Sequence, residues 1–176
     1  MVLLIVDAQR GITNPDLYNF PAFEDGVKRL IAQARKSGVE VIFIRHDDGP
    51  GTALTPGAEG FPIYEGFRPL PEERVFDKQF NSAFRCTGLL DYLDDQRQDT
   101  VIIAGLQTEY CIDATIKAAF EHGLSVIVPE NANTTFDNPH LTGEESYRYY
   151  NQFIWKNRYA RCLPLEDVLA MMEQNA

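Results

Sequence analysis

An acid, an amine and a thiol stand at the ends of three separate short runs in this chain. Asp7 closes Val2-Leu3-Leu4-Ile5-Val6, Lys78 follows Arg74-Val75-Phe76-Asp77, and Cys111 comes just after the apolar run from Thr100 to Ala104 and Gly105. Cys111 follows a glycine-containing turn and is expected in the first turn of a helix. Unpaired N–H groups and the positive end of the helix dipole favour a thiolate there. A neighbouring lysine favours it further, whereas a carboxylate opposes the thiolate but can accept its proton. Lys78 would balance both anions while Asp7 moves the proton, which is the chemistry of a nucleophilic cysteine. Each residue also has a plainer role. Cys111 could be a small buried hydrophobe, Asp7 a turn residue and Lys78 a solvated surface residue. For Cys86 and Cys162, which lack this convergence, the small buried hydrophobe is the reading adopted.

Three strand ends meet only if the intervening elements bring them together. Val2 to Val6 is continuously apolar, as in a strand buried on both faces. Val27, Leu30, Ile31 and Ala34 repeat at i, i+3, i+4, i+7, one face of a helix, and Gly38 stands where a helix-ending glycine belongs. Val39 to Ile44 reads as a second strand and Arg74 to Asp77 as a third. Leu89, Leu90 and Leu93 mark a helix, Thr100 to Ala104 a fourth strand, and 108–122 another helix closed by Gly123. Leu124 to Val128 is the fifth strand. A helix between about 142 and 155, a final strand near 158–162 and a helix from Pro164 to Glu173 complete the series, with Pro164 expected at the first helical position. This alternation predicts an α/β fold in three layers, with helices on both faces of a mostly parallel six-stranded sheet of order 3-2-1-4-5-6. Residues 1–176 are read as one domain. The strand order reverses between strands 1 and 4, and ligands in such sheets bind outside the carboxyl ends of the strands at that point. Asp7, Lys78 and Cys111 converge there.

Composition excludes several function classes. The chain has 16 Lys+Arg against 26 Asp+Glu, a formal net charge of −10, and a pI near 4.7. Nucleic-acid binding and attachment to anionic membranes both need basic surface, so neither partner is expected. No stretch approaches the roughly 20 apolar residues of a spanning helix, and the first residues do not form a signal peptide. Three cysteines without close spacing argue against a disulfide scaffold or a zinc knuckle and for a reducing cytoplasm. No Gly-x-Gly-x-x-Gly follows the first strand and no P-loop occurs, so no cofactor is expected.

On the residues Leu3-Leu4-Ile5-Val6-Asp7-Ala8-Gln9, Asp77-Lys78 followed by Ser82-Ala83-Phe84, and Gly105-Leu106-Gln107-Thr108-Glu109-Tyr110-Cys111-Ile112-Asp113-Ala114-Thr115, the chain resembles the isochorismatase-like cysteine hydrolase superfamily. Relatives there include nicotinamidases and N-carbamoylsarcosine amidohydrolases. The resemblance covers nearly the whole chain. It implies Asp7 as general base, Lys78 as polarising cation and Cys111 as nucleophile. It also implies an oxyanion hole from the backbone N–H groups of Gln107 and Cys111, with a cis Leu106–Gln107 peptide; Gly105 just before it would relieve crowding, and Thr108 is expected to cap the helix that follows. Nicotinamidases carry a metal site beginning Asp-x-His after strand 2. This chain has Arg45-His46-Asp47-Asp48 there and no matching pair of further histidines, so no metal is expected and His46 is read as bonding within its loop.

The function these readings imply is hydrolysis of a C–N bond, whether amide, ureido or carbamoyl, in a small molecule. Hydrolysis of an isochorismate-type vinyl ether and a non-catalytic member of the fold are the alternatives. Gln9, His46, Phe84 and Tyr110 are candidates for substrate contact. The proline-rich connection from 46 to 73 is long enough to be functional. Its Phe61, Tyr64 and Phe67, with Phe80, Phe84 and Tyr110, either line an apolar pocket or a subunit contact, or simply anchor the loop. A homodimer or larger homo-oligomer is expected.

Overall fold

The computed structural model describes residues 1–174, so the last two residues of the expected domain lie outside it. In chain order the elements are β1 (Val2–Val6), α1 (Phe20–Lys36), β2 (Glu40–His46), a 3₁₀ turn (Glu65–Phe67), β3 (Arg74–Lys78), α2 (Leu89–Asp95) and β4 (Thr100–Leu106). They continue with a π turn (Thr108–Ile112), α3 (Asp113–Glu121), β5 (Ser125–Pro129), β6 (Asn133–Thr134), α4 (Gly143–Tyr149), a second π turn (Tyr150–Ile154), β7 (Arg161–Leu163) and α5 (Leu165–Glu173). The strands form one sheet of order β3-β2-β1-β4-β5-β7, with β6 beside the end of β4. All the pairings are parallel.

The central strand explains the layering. Leu3 and Ile5 of β1 pack with Phe23, Val27 and Leu30 of α1 and Val168 of α5. Val2, Leu4 and Val6 point the other way, into a cluster with Leu89 and Leu93 of α2 and Ile116 of α3. Side chains alternate along a strand, so apolar residues at every position bury both faces. Each such residue removed from water contributes about 1.5–3 kcal/mol.

The sheet has one more strand than the six expected. β6 is two residues long, too short for a hydrophobic pattern to mark it. The expected sixth strand is β7, shifted to Arg161–Leu163. The two helices expected at 108–122 and 142–155 each contain a π turn, at the start of one and the end of the other. Five residues of widened turn do not alter a 3.6-residue pattern enough to be read. Pro164 precedes the first residue of α5 rather than occupying it, in an extended conformation with ψ 143°.

Gly105 is fixed by the sheet itself. Its φ is +132°, and a Cβ there would stand 1.9 Å from the Val6 carbonyl oxygen. Gly105 is the register partner of Val6, so β4 can lie against β1 at the site's edge only with glycine.

Candidate active site

β1, β2, β3 and β4 are consecutive neighbours, and their carboxyl ends form one ledge. Asp7 is the first residue beyond β1. Its φ of +53° is the left-handed region, where a residue other than glycine carries about 1–3 kcal/mol of strain. Its N–H donates to the Ile44 carbonyl at 2.9 Å, which fixes the turn against β2. In the β2–β3 ladder His46 is the register partner of Lys78. Adjacent parallel strands thus present an imidazole and an ammonium side by side.

The Lys78 ammonium donates three hydrogen bonds: to Asp7 Oδ2 at 2.7 Å, to His46 Nδ1 at 2.7 Å and to Cys111 Sγ at 3.2 Å. An ammonium has three N–H groups, and each has a partner. The side chains of Lys78 and Asp7 are 0% and 2% exposed. His46 Nε2 lies 2.9 Å from Asp48 Oδ1. Since Nδ1 accepts from Lys78, the imidazole is neutral with its proton on Nε2, donated to Asp48. Lone pairs of Asp7, His46 and Cys111 also lie within 4.8 Å of one another, a grouping that metals use. Here each is engaged by an N–H of Lys78, so these residues fit an ammonium rather than a metal ion.

Cys111 sits in the π turn, buried with Ile112 and Thr108. Burial pushes its thiol up to about 12, the Asp7 charge adds to this, and Lys78 opposes it. Desolvation outweighs the pull of Lys78, so the burial of this turn opposes the thiolate that its position was expected to favour. Burial likewise raises the Asp7 carboxyl above the usual carboxylate range, against the pull of Lys78. Asp7 Oδ1 is buried with no hydrogen-bond partner. Asp7 is thus a more basic carboxylate than one in water, and the Cys111 thiol beside it is placed to give it a proton. The Leu106–Gln107 peptide bond is cis, as expected. Gln107 accepts at its carbonyl from the N–H groups of Tyr110 and Ile112 at 3.1 and 3.2 Å.

The sulfur opens onto a cavity of about 220 Å³ floored by Asp7 and Cys111 and walled by Gln107, Asn81, Tyr110 and Leu54. An Isochorismatase domain model matches residues 1–153. The chain belongs to the isochorismatase family. It is 32% identical over 139 residues to streptothricin hydrolase of Streptomyces noursei, a match covering 78% of this chain and 50% of that protein. It is also 32% identical over 161 residues to maleamate amidohydrolase of Pseudomonas putida, covering 78% of this chain and 74% of that protein. A crystal structure of an isochorismatase family protein superposes with a TM-score of 0.85 at 34% identity, covering 92% of this chain and 96% of that one. The chain spans about half the length of the streptothricin hydrolase it matches.

The candidates for substrate contact in this isochorismatase-family chain fare differently. Tyr110 and His46 line the cavity. Gln9 does not. Its amide is buried between strand ends, donating to the carbonyls of His46 and Phe61 and accepting from the His46 N–H. Phe84 does not line the cavity either, since its ring packs against His122 at 5.6 Å. Phe61 and Phe67 are buried and anchor the loop, whereas Phe80 is 39% exposed. Tyr64 packs on Phe20, Phe67 on Phe23, Arg45 covers Phe61 and Arg85 covers Phe80. Cys86, expected buried, is exposed, with φ +59°. Cys162 is half-buried, and burial raises its thiol to about 11.

Other members of this isochorismatase-family site carry no sequence signal. Asn81 Oδ1 lies 3.8 Å from Cys111 Sγ. Thr108, expected as a cap, instead donates its hydroxyl to Asn133 Oδ1 at 2.9 Å. Asn133 and Asn151 exchange amide hydrogen bonds at 2.9 and 3.0 Å, and Asn151 also donates to the Tyr147 carbonyl. This buried trio ties β6 and the second π turn to the turn that carries the cysteine. No helix is long and apolar enough to cross a membrane among the described residues.

Proposed function

We propose that this chain is a cysteine amidohydrolase that cleaves a C–N bond, whether amide, ureido or carbamoyl, in a small molecule. The observation that carries this is the buried Lys78 ammonium bonded to both Asp7 and Cys111. The streptothricin and maleamate hydrolases among its relatives support hydrolysis as the reaction class.

In this reading Asp7 takes the Cys111 proton as Sγ attacks the carbonyl carbon. The charge moves from carboxylate to sulfur beside the same ammonium, so Lys78 stabilises both ends of the transfer. The N–H groups of Gln107 and Cys111 hold the tetrahedral oxyanion. Asp7 then gives its proton to the leaving nitrogen, the C–N bond breaks and a thioester remains. Water, deprotonated by Asp7, attacks the thioester. The C–S bond breaks and the thiol recovers its proton.

No lysine or arginine is among the residues lining the cavity, which are Asp7, Asp48, His46 and neutral side chains. That lining suits an uncharged or cationic substrate better than a carboxylate. The test is release of ammonia or amine from a panel of small amides, ureas and carbamoyl compounds, comparing wild type with Cys111→Ala. Turnover of at least one compound by wild type, lost in Cys111→Ala and kept in Cys86→Ala and Cys162→Ala, is the expected result. Substantial turnover by Cys111→Ala overturns the covalent route.

A further inference from the structure

The third hydrogen bond of Lys78 has no part in the steps above. Its acceptor, His46 Nδ1, stands as close to the ammonium as the Asp7 carboxylate does, both at 2.7 Å. His46 is itself held on every side. Its backbone N–H and carbonyl are clamped by the buried Gln9 amide, and its Nε2 is held by Asp48. Its side chain is 12% exposed. The register of β2 on β3 sets His46 opposite Lys78.

From this geometry we infer that His46, oriented by Asp48, is a positioning residue for Lys78. The neutral Nδ1 lone pair takes one N–H, which leaves the other two aimed at Asp7 and at the sulfur. A three-donor cation with only two acceptors would keep a buried N–H unsatisfied, which is costly. Its ammonium would then turn away from sulfur, and the developing thiolate would lose its counter-charge. Asp48 acts one bond further out. By accepting from Nε2 it excludes the tautomer that would put a proton between imidazole and ammonium. The other charged groups around His46 are Asp7 and Asp47, both acidic. Neither supplies a lone pair in the position of Nδ1.

This inference rests on the reading of Lys78 as the cation that serves Cys111, and its test needs no substrate. Alkylation of Cys111 by iodoacetamide at pH 7.5 is followed by peptide mass spectrometry, with the exposed Cys86 in the same chain as internal reference. His46→Leu removes the acceptor and should slow Cys111 alkylation at least tenfold relative to Cys86. His46→Asn places an amide oxygen near the Nδ1 position and should recover the rate to within about threefold of wild type. In a Lys78→Met background His46→Leu should change the rate less than twofold, because nothing remains to position. Asp48→Ala, on a half-exposed side chain, should slow alkylation severalfold and serves should His46→Leu fail to fold.

Equal rates for His46→Asn and His46→Leu, the same loss in the Lys78→Met background, or an unchanged rate in Asp48→Ala overturn the inference. A protein that hydrolyses none of the amide panel but shows the coupled alkylation pattern contradicts the proposed reaction and supports the positioning role. Turnover without that pattern does the reverse.

Discussion

Lys78 and Asp7 form an ion pair of 2.7 Å, drawn from strands 71 residues apart in sequence and sealed from solvent on both sides. Removing one member of a buried pair leaves an uncompensated charge and costs about 3–5 kcal/mol. Lys78→Met should therefore destabilise by that order as well as abolish activity. Adding Asp7→Asn to it should restore part of the stability and none of the activity. Urea midpoints of the two single variants and the double variant measure this. Additive losses would mean that the two charges do not depend on one another.

The thiol supplies a pH test. A group whose pKa is higher folded than unfolded holds its proton more tightly in the native state. Its contribution is intact below the unfolded value of 9.0 and is lost as pH climbs towards about 12. Wild type should lose stability across that interval more steeply than Cys111→Ala. The buried Tyr147, whose hydroxyl is also raised by burial, titrates in both proteins, so the difference between them isolates Cys111. Urea melts at pH 8, 9, 10 and 11 read it out, and parallel curves would contradict the raised value.

Asn133, Asn151 and Thr108 give a third expectation. Asn151→Ala leaves Asn133 without its amide partner in a buried position, at about 1–3 kcal/mol. Because Thr108 begins the turn that carries Cys111, displacement should reach the sulfur. A fall in kcat of roughly 10- to 100-fold is expected, since small misplacements of reacting groups are that costly. Steady-state kinetics beside a thermal melt separates this from simple destabilisation. A stable variant with wild-type kcat would show that the turn does not need the trio.

Gly105→Ala should fail to fold or lose more than about 4 kcal/mol. Its Cβ would overlap the Val6 carbonyl oxygen, and neither backbone can yield without parting β1 from β4. Soluble yield and a thermal scan check this, and a variant within 1 °C of wild type would contradict the close approach.

Much of this arrangement was legible in the residues. Asp7 and Cys111 follow apolar runs and Lys78 ends a short strand, so strand order brought them to one ledge; the close approach of Gly105 to Val6 showed only in the structure. The rest was not legible, for identifiable reasons. His46 meets Lys78 only through the β2–β3 register, which apolar patterning on β3 is too weak to specify. Asn133 and Asn151 are buried polar residues paired across 18 positions, with no periodic signature. The thiol's protonation depends on how deeply the turn is buried, and the turn's sequence alone favoured the opposite sign. Phe84 and Gln9 resembled pocket residues because they flank the motifs, yet Phe84 packs against His122 and the Gln9 amide bonds the backbone of His46 and Phe61.

β3 is the edge of the sheet, bonded to β2 alone, and its Val75 is 39% exposed. In the proposed mechanism, the cation that serves the sulfur therefore rides on a strand with a neighbour on one side only. Edges open at lower free energy than the core strands, so β3 can fray while β1 and β4 remain paired. Each such opening withdraws the ammonium from Asp7 and Cys111 together and leaves an inert thiol in an otherwise native molecule. Catalytic competence is then less durable than the fold. Under mild denaturant, turnover should fade before the far-ultraviolet signal does, and recover as quickly as the edge strand closes.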